Sequence, residues 1–304
     1  YLKFTERKSS PAIGFGLAIP SDSGQVSVTI TGADSASWFM EHNVARDSFM
    51  IWITDPKVYD LDLIEALLTY PFTDSTETVI ARTDTVSFRY LKPATPRGGP
   101  GRVQGLGVTT NVNGRIRPGT VPFFRTATPL TEPDTSLVTL TRTVDSLQVE
   151  VPFEFMRDTT SLHRFTMKVP LEPGGTYSLL CNKGTFRDIF GLASDSAMYR
   201  FSVATEEDYG SLKVTLTGYE GDVIIQLTAD KDKVIREMFT TSPGVVNFPL
   251  LDKGKYRLKA VYDLNADGKW TTGDYNFARQ PEPVTYYSSE LEVKINWALE
   301  QDWD

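Results

Sequence analysis

Apolar side chains in this chain recur at every second position, and that period constrains its fold more than any other feature. Val26, Val28 and Ile30 share one face, as do Val86, Phe88 and Tyr90. Leu147, Val149, Val151, Phe153 and Phe155 alternate with Gln148, Glu150, Pro152 and Glu154. The pattern returns in Phe165, Met167 and Val169, then in Leu212, Val214 and Leu216, then in Tyr256, Leu258, Ala260 and Tyr262. Leu291, Val293, Ile295 and Trp297 close the series, which places Trp297 on an inward face. Successive side chains of a strand point to opposite sides, so such segments between Gly, Pro, Asp and Ser turns describe antiparallel sheets with one buried face. Residues 60 to 70 fit either a helix or a strand; a short turn followed by a strand is the reading, because all around it is β.

Punctuation divides the 304 residues. The run PATPRGGPGRVQGLG, Pro93 to Gly107, lacks periodicity and is rich in Pro and Gly, which marks a linker. TEEDYG, Thr205 to Gly210, is a short acidic hinge. The expectation is an all-β chain of three consecutive sandwiches at 1–93, 108–205 and 206–304, with 94–107 as linker.

The formal net charge of −8 argues against nucleic acid and against docking by a basic face onto anionic lipid. Arg97, Arg102, Arg115 and Arg117 make the linker neighbourhood locally basic; they read as solubility of a flexible segment or as a patch for an acidic partner. Cys181 is the only cysteine, so no intrachain disulfide forms, and its strand neighbours Tyr177 and Leu179 place it in a core. YLKFTERKSS has no apolar signal core and Tyr1 is not an initiator methionine, so the reading is of a processed or truncated piece with any targeting signal upstream.

Catalytic equipment is missing from the pattern. His42 and His163 lack the context of a nucleophile's base, and no GxSxG occurs. Two histidines do not furnish a zinc site of several imidazoles. Glu150 and Glu154 read as the solvated face of one strand rather than an opposed acid pair. Among the tryptophans, Trp52 reads as buried or as an interdomain contact, and Trp303 as a tail anchor for a partner.

One stretch has ligand-like spacing. DLNADGKWTTGD, Asp263 to Asp274, carries oxygen donors at positions one, three, five, nine and twelve, with Gly268 at the sixth. A calcium loop needs that spacing, because short acidic residues point inward while glycine allows a sharp turn. Asp263, Asn265, Asp267, the Lys269 carbonyl, Thr271 and Asp274 are the candidate ligands. The competing reading is a hairpin whose Asp and Asn side chains make local turns, with Trp270 packed on the sandwich.

From Thr128 the chain reads TPLTEPDTSLVTL, then PLEPGGTYSLLCNKGTFRDIFGLASDSAMYRFSV, which resembles the bacterial Ig-like domains of S-layer proteins. SLKVTLTG followed by FPLLDKGKYRLKAVYD resembles prealbumin-like accessory sandwiches. YLKFTERK, WITD, TDTVSFRY and the C-terminal run from YDLNADGKWTTGDY to LEVKINWALEQDW together resemble Ig-like outer-membrane or surface lipoproteins of Bacteroidota. That resemblance implies a location at the outer membrane or cell surface, a lipid anchor upstream of this chain, and outer-membrane or surface proteins as partners. It carries no catalytic residues. The function expected is a non-catalytic scaffold or protein-binding protein of the cell envelope, including a subunit of an outer-membrane assembly or secretion complex. The competing reading is a glycan-binding accessory lipoprotein.

Overall fold

The computed structural model describes residues 1–91, 105–275 and 277–304. Most of the segment expected as a linker, with Arg97 and Arg102, lies outside the described residues. The chain is all-β: about 51% strand and 6% helix. It divides into two compact units, Tyr1–Gly105 with Arg187–Leu192, and Leu106–Phe186 with Ala193–Asp304.

The first unit pairs two antiparallel sheets. One runs in the order Leu2–Ser9, Ala12–Leu17, Ser48–Ile53, Trp38–His42; the other joins Ser27–Ile30, Leu63–Thr73 and Val79–Arg89. Their facing side chains form one core, with Phe15 stacked on Phe49 at 4.9 Å. The ambiguous 60–70 stretch follows a one-turn helix, Pro56–Tyr59, and is itself strand from Leu63 onward, in Leu63–Thr73. Asp55 caps that turn by accepting the Lys57 N–H, and Ile64, Ala66, Leu68 and Tyr70 are buried. Trp52 is buried as expected, and its Nε1 donates to Glu41.

Two further cores lie in the second unit. The first sits between a four-stranded sheet and a five-stranded one, and Leu106, expected at the end of the linker, is already part of it. The alternating run 147–155 is not one strand here. Leu147–Glu150 and Glu154–Arg157 belong to different sheets, because Pro152 lacks the N–H a continuing ladder needs and the chain crosses over at that point. Leu147 and Val149 are consequently exposed, and Glu150 and Glu154 stand on separate strands.

The last core lies between Gly244–Leu251, Gly210–Leu216 and Ala298–Trp303 on one side, and Lys233–Thr240, Val223–Ala229, Gly254–Tyr262 and Val284–Tyr286 on the other. Leu291–Val293 adds to the Gly254 end of its neighbour. Gly210 is obligatory in this sheet: a Cβ there would meet the Lys294 carbonyl oxygen at 2.3 Å and Val293 Cγ1 at 2.4 Å. Not every pair is antiparallel, as the alternation had suggested. Ala298–Trp303 runs parallel to Gly210–Leu216, and Gly114–Ile116 runs parallel to Ala197–Val203. Both closures join segments far apart in sequence, the condition under which parallel pairing is available.

Cys181 is buried beside Leu179 and Tyr177, and burial pushes its thiol up to about 12. A thiol reagent at neutral pH should label the native chain negligibly and label it stoichiometrically once denatured. Rapid native labelling would place Cys181 outside the core.

Candidate functional site

Strand Gly254–Tyr262 runs into Asp263, and the loop begins there. The Asp263 side chain is buried, and its carboxylate accepts the backbone N–H groups of Asp267 at 3.2 Å and Gly268 at 2.8 Å. Gly268 has φ 73°, a left-handed conformation that glycine adopts without the Cβ clash other residues meet. Asn265 Nδ2 donates to Asp267 Oδ2 at 3.1 Å and to Thr271 Oγ1 at 2.9 Å, while its Oδ1 accepts the Asp267 N–H. Asp267 Oδ1 accepts the Lys269 N–H at 2.8 Å. That bond, with side-chain donation from Asn265 and Thr271, holds the Asp267 carboxyl below the usual carboxylate range.

A residue that spacing did not single out completes the loop. Glu282 is buried, and its two carboxylate oxygens accept the N–H groups of Leu264 at 2.9 Å and Thr271 at 2.7 Å. Trp270 Nε1 donates to the Glu282 carbonyl at 3.2 Å, and Lys259 Nζ stands 5.9 Å from the Trp270 ring. The only sequence signal for Glu282 was a carboxylate between two prolines, RQPEPV, at the point where the chain returns to the sheet.

Of the six candidate ligands, Asp263, Asn265, Asp267 and Thr271 share one hydrogen-bond network, and Asp274 forms a backbone bridge with Arg279 and accepts the Phe277 N–H. The Lys269 backbone takes part through its N–H. Among the described residues no three of His, Cys, Asp and Glu stand where they could hold a metal ion together. The amide nitrogen of Asn265 faces Asp267 and Thr271, and its oxygen faces the Asp267 N–H, so the side chains of this turn satisfy one another.

Beyond the loop, backbone bonds between Asp274 and Arg279 at 2.9 Å close a hairpin whose tip presents Tyr275 at 100% exposure and Phe277 at 82%. The remaining aromatic expectations change. Trp297 is 61% exposed, because strand ends at Val293 and Asn296, with φ 52°, turns the chain out of the alternating register. Trp303 is half-buried against the last core, 5.7 Å from Tyr287. Arg115 and Arg117 are not a free basic patch: Arg115 pairs with Asp208, and Arg117 pairs with Asp252 and donates to the Leu250 carbonyl at 2.8 Å. His42 is exposed, with Nδ1 2.9 Å from the Asn43 carbonyl. No described helix is long and apolar enough to cross a membrane.

No family model matches the chain, and no curated protein does. Among solved structures it is similar to the N-terminal part of the bacterial S-layer protein SbsC, at 10% identity and a TM-score of 0.30, covering 53% of this chain and 42% of that one. It is also similar to the MG0-NIE-MG1 portion of α2-macroglobulin from Escherichia coli, at 13% identity and a TM-score of 0.27, covering 97% and 95%. The Bacillus anthracis TIE protein matches at 12% identity and a TM-score of 0.22, covering all of this chain and 57% of its own. The chain therefore spans less than two thirds of the SbsC and TIE chains it matches. At these values the all-β assignment rests on the chain's own strand pairing.

The loop makes a direct prediction. Asp263→Ala leaves the Asp267 and Gly268 N–H groups without their acceptor and should lower stability by about 1–3 kcal/mol in chemical denaturation. A chelator should leave the melting temperature of the native chain unchanged. A fall of several degrees, restored by added calcium, would instead assign Asp263, Asn265, Asp267, Lys269, Thr271 and Asp274 to the ion.

Proposed function

We propose that this chain is a non-catalytic protein of the cell envelope that binds other outer-membrane or surface proteins. The observation that carries the proposal is the hairpin tip. Tyr275 is fully and Phe277 largely exposed, on a hairpin that follows a loop held by the buried carboxylates Asp263 and Glu282. Exposed aromatics on a braced support contribute nothing to their own fold, while interface cores are enriched in aromatic residues because each ring covers a large area at small entropic cost. The sharper form of the proposal is a scaffold subunit of an outer-membrane assembly or secretion complex of Bacteroidota, tethered through a lipid anchor upstream of this chain. The sequence resemblance supports that form, and the surface chemistry agrees with it. Paired arginines leave no basic patch at Arg115 and Arg117, and the net charge of −8 disfavours nucleic acid and anionic lipid.

The test compares proteins captured from solubilised envelope membranes by the native chain and by a Tyr275→Ser/Phe277→Ser variant. Mass spectrometry should find a partner retained by the native chain and lost by the variant, with melting temperatures equal. Identical sets of captured proteins would sink the role given to the tip.

The three-domain division, 1–93, 108–205 and 206–304 with a linker at 94–107, belongs to the same proposal. The last core draws all its buried members from residues 212–293, which supports independent folding of that piece. A fragment of residues 206–304 should unfold cooperatively and keep a near-ultraviolet circular dichroism signal. A non-cooperative melt would make the second unit one indivisible body.

A further inference from the structure

The outer face of the sheet Gly244–Leu251, Gly210–Leu216, Ala298–Trp303 is not flat. Ser211 and Ala298 lie opposite one another in the parallel register, and both side chains are small. Around them the surface rises, leaving an open groove of about 670 Å³ between the 206–211 segment, the 247–250 end of its neighbour and the 296–298 turn. All of this belongs to the second unit.

Three features give the groove a chemistry. The first is Trp297, 61% exposed, outside the core, and making no ring contact. The second is the fixing of its backbone. The Trp297 carbonyl accepts the Ser211 N–H at 3.0 Å, Asn296 N–H donates to the Tyr209 carbonyl at 2.9 Å, and Gly210 lets the two segments approach closely. The third is a set of polar side chains, Glu206, Glu207, Asn247, Asn296 and Ser211, which line the groove and make no side-chain hydrogen bond or ion pair within the described chain.

A flat apolar indole beside free amides, a hydroxyl and carboxylates presents both things a sugar ring requires. The indole covers the C–H face of a pyranose, and the polar groups take its hydroxyls. Fixing the backbone that carries the indole removes part of the ordering cost of binding. Glu206 and Glu207 line the groove and no lysine or arginine is among its lining residues, which disfavours an anionic ligand. We propose that this groove is a binding subsite for a neutral oligosaccharide, with Trp297 as the stacking platform and Asn247 and Asn296 as hydroxyl partners. The site is separate from the Tyr275 and Phe277 tip and does not depend on the role given to that tip.

The experiment titrates the full chain with cellotetraose, chitotetraose and mannotetraose, followed by calorimetry and tryptophan fluorescence. At least one should bind saturably. Trp297→Ala should weaken that binding about tenfold or more, and Asn247→Ala several-fold, with the melting temperature unchanged because neither side chain is part of the core. Trp270→Ala, on the other sheet's side of the sandwich, should leave affinity as it was. Tetragalacturonate, of the same length but anionic, should bind far more weakly than the neutral ligand. Absence of binding by all three neutral probes, or binding that survives Trp297→Ala, would overturn the proposal. So would saturation by a proline-rich basic decapeptide without any saccharide binding, since the groove would then be a peptide site.

Discussion

Strand Gly210–Leu216 is the element on which the last sandwich depends. It pairs antiparallel with Gly244–Leu251 on one edge and parallel with Ala298–Trp303 on the other. Leu212, Val214 and Leu216 point from it into the core, while Ser211 lies on the opposite side at the floor of the groove. Its first residue must be glycine for the 293–294 backbone to come close enough. One strand therefore fixes the core, the position of Trp297 and the depth of the groove beside it.

Two kinds of order coexist in this sandwich. The sheets are held by hydrophobic burial and backbone pairing, which tolerate many side chains of similar size. The 263–282 loop is held by carboxylates that each accept two backbone N–H groups, an arrangement in which every partner is specific. Arg236 adds a third device, bonding the Pro249 and Leu250 carbonyls of the facing sheet across the open edge of the sandwich. Binding surfaces proposed for this chain sit where the specific kind of order fixes a backbone turn and leaves an aromatic ring outside.

The class of fold was legible because alternation survives wherever a strand has one face in a core, as at Tyr256, Leu258 and Ala260. It misled where the same period continued past a break in pairing. Pro152 separates two strands of different sheets although Leu147 to Phe155 alternate without interruption. Asn296 rotates Trp297 outward although Leu291, Val293 and Ile295 lead straight to it. Periodicity records which side chains could share a face, and only the backbone decides whether the strand persists. The loop was legible as a turn rich in Asp and Asn. Glu282 was not, because its role comes from proximity in the folded chain, eighteen residues from Leu264.

Both parallel closures have a temporal side. Gly114–Ile116 waits for Ala197–Val203, and Gly210–Leu216 waits for Ala298–Trp303, 87 residues later. Contacts that distant must overcome loop-closure entropy before they return any stability, so they form late. While the ribosome is still adding residues 290 to 303, the edge of Gly210–Leu216 is unpaired and open to any passing strand. A cell making this chain must keep that edge guarded, or carry the polypeptide onward unfolded, until its final partner has been synthesised.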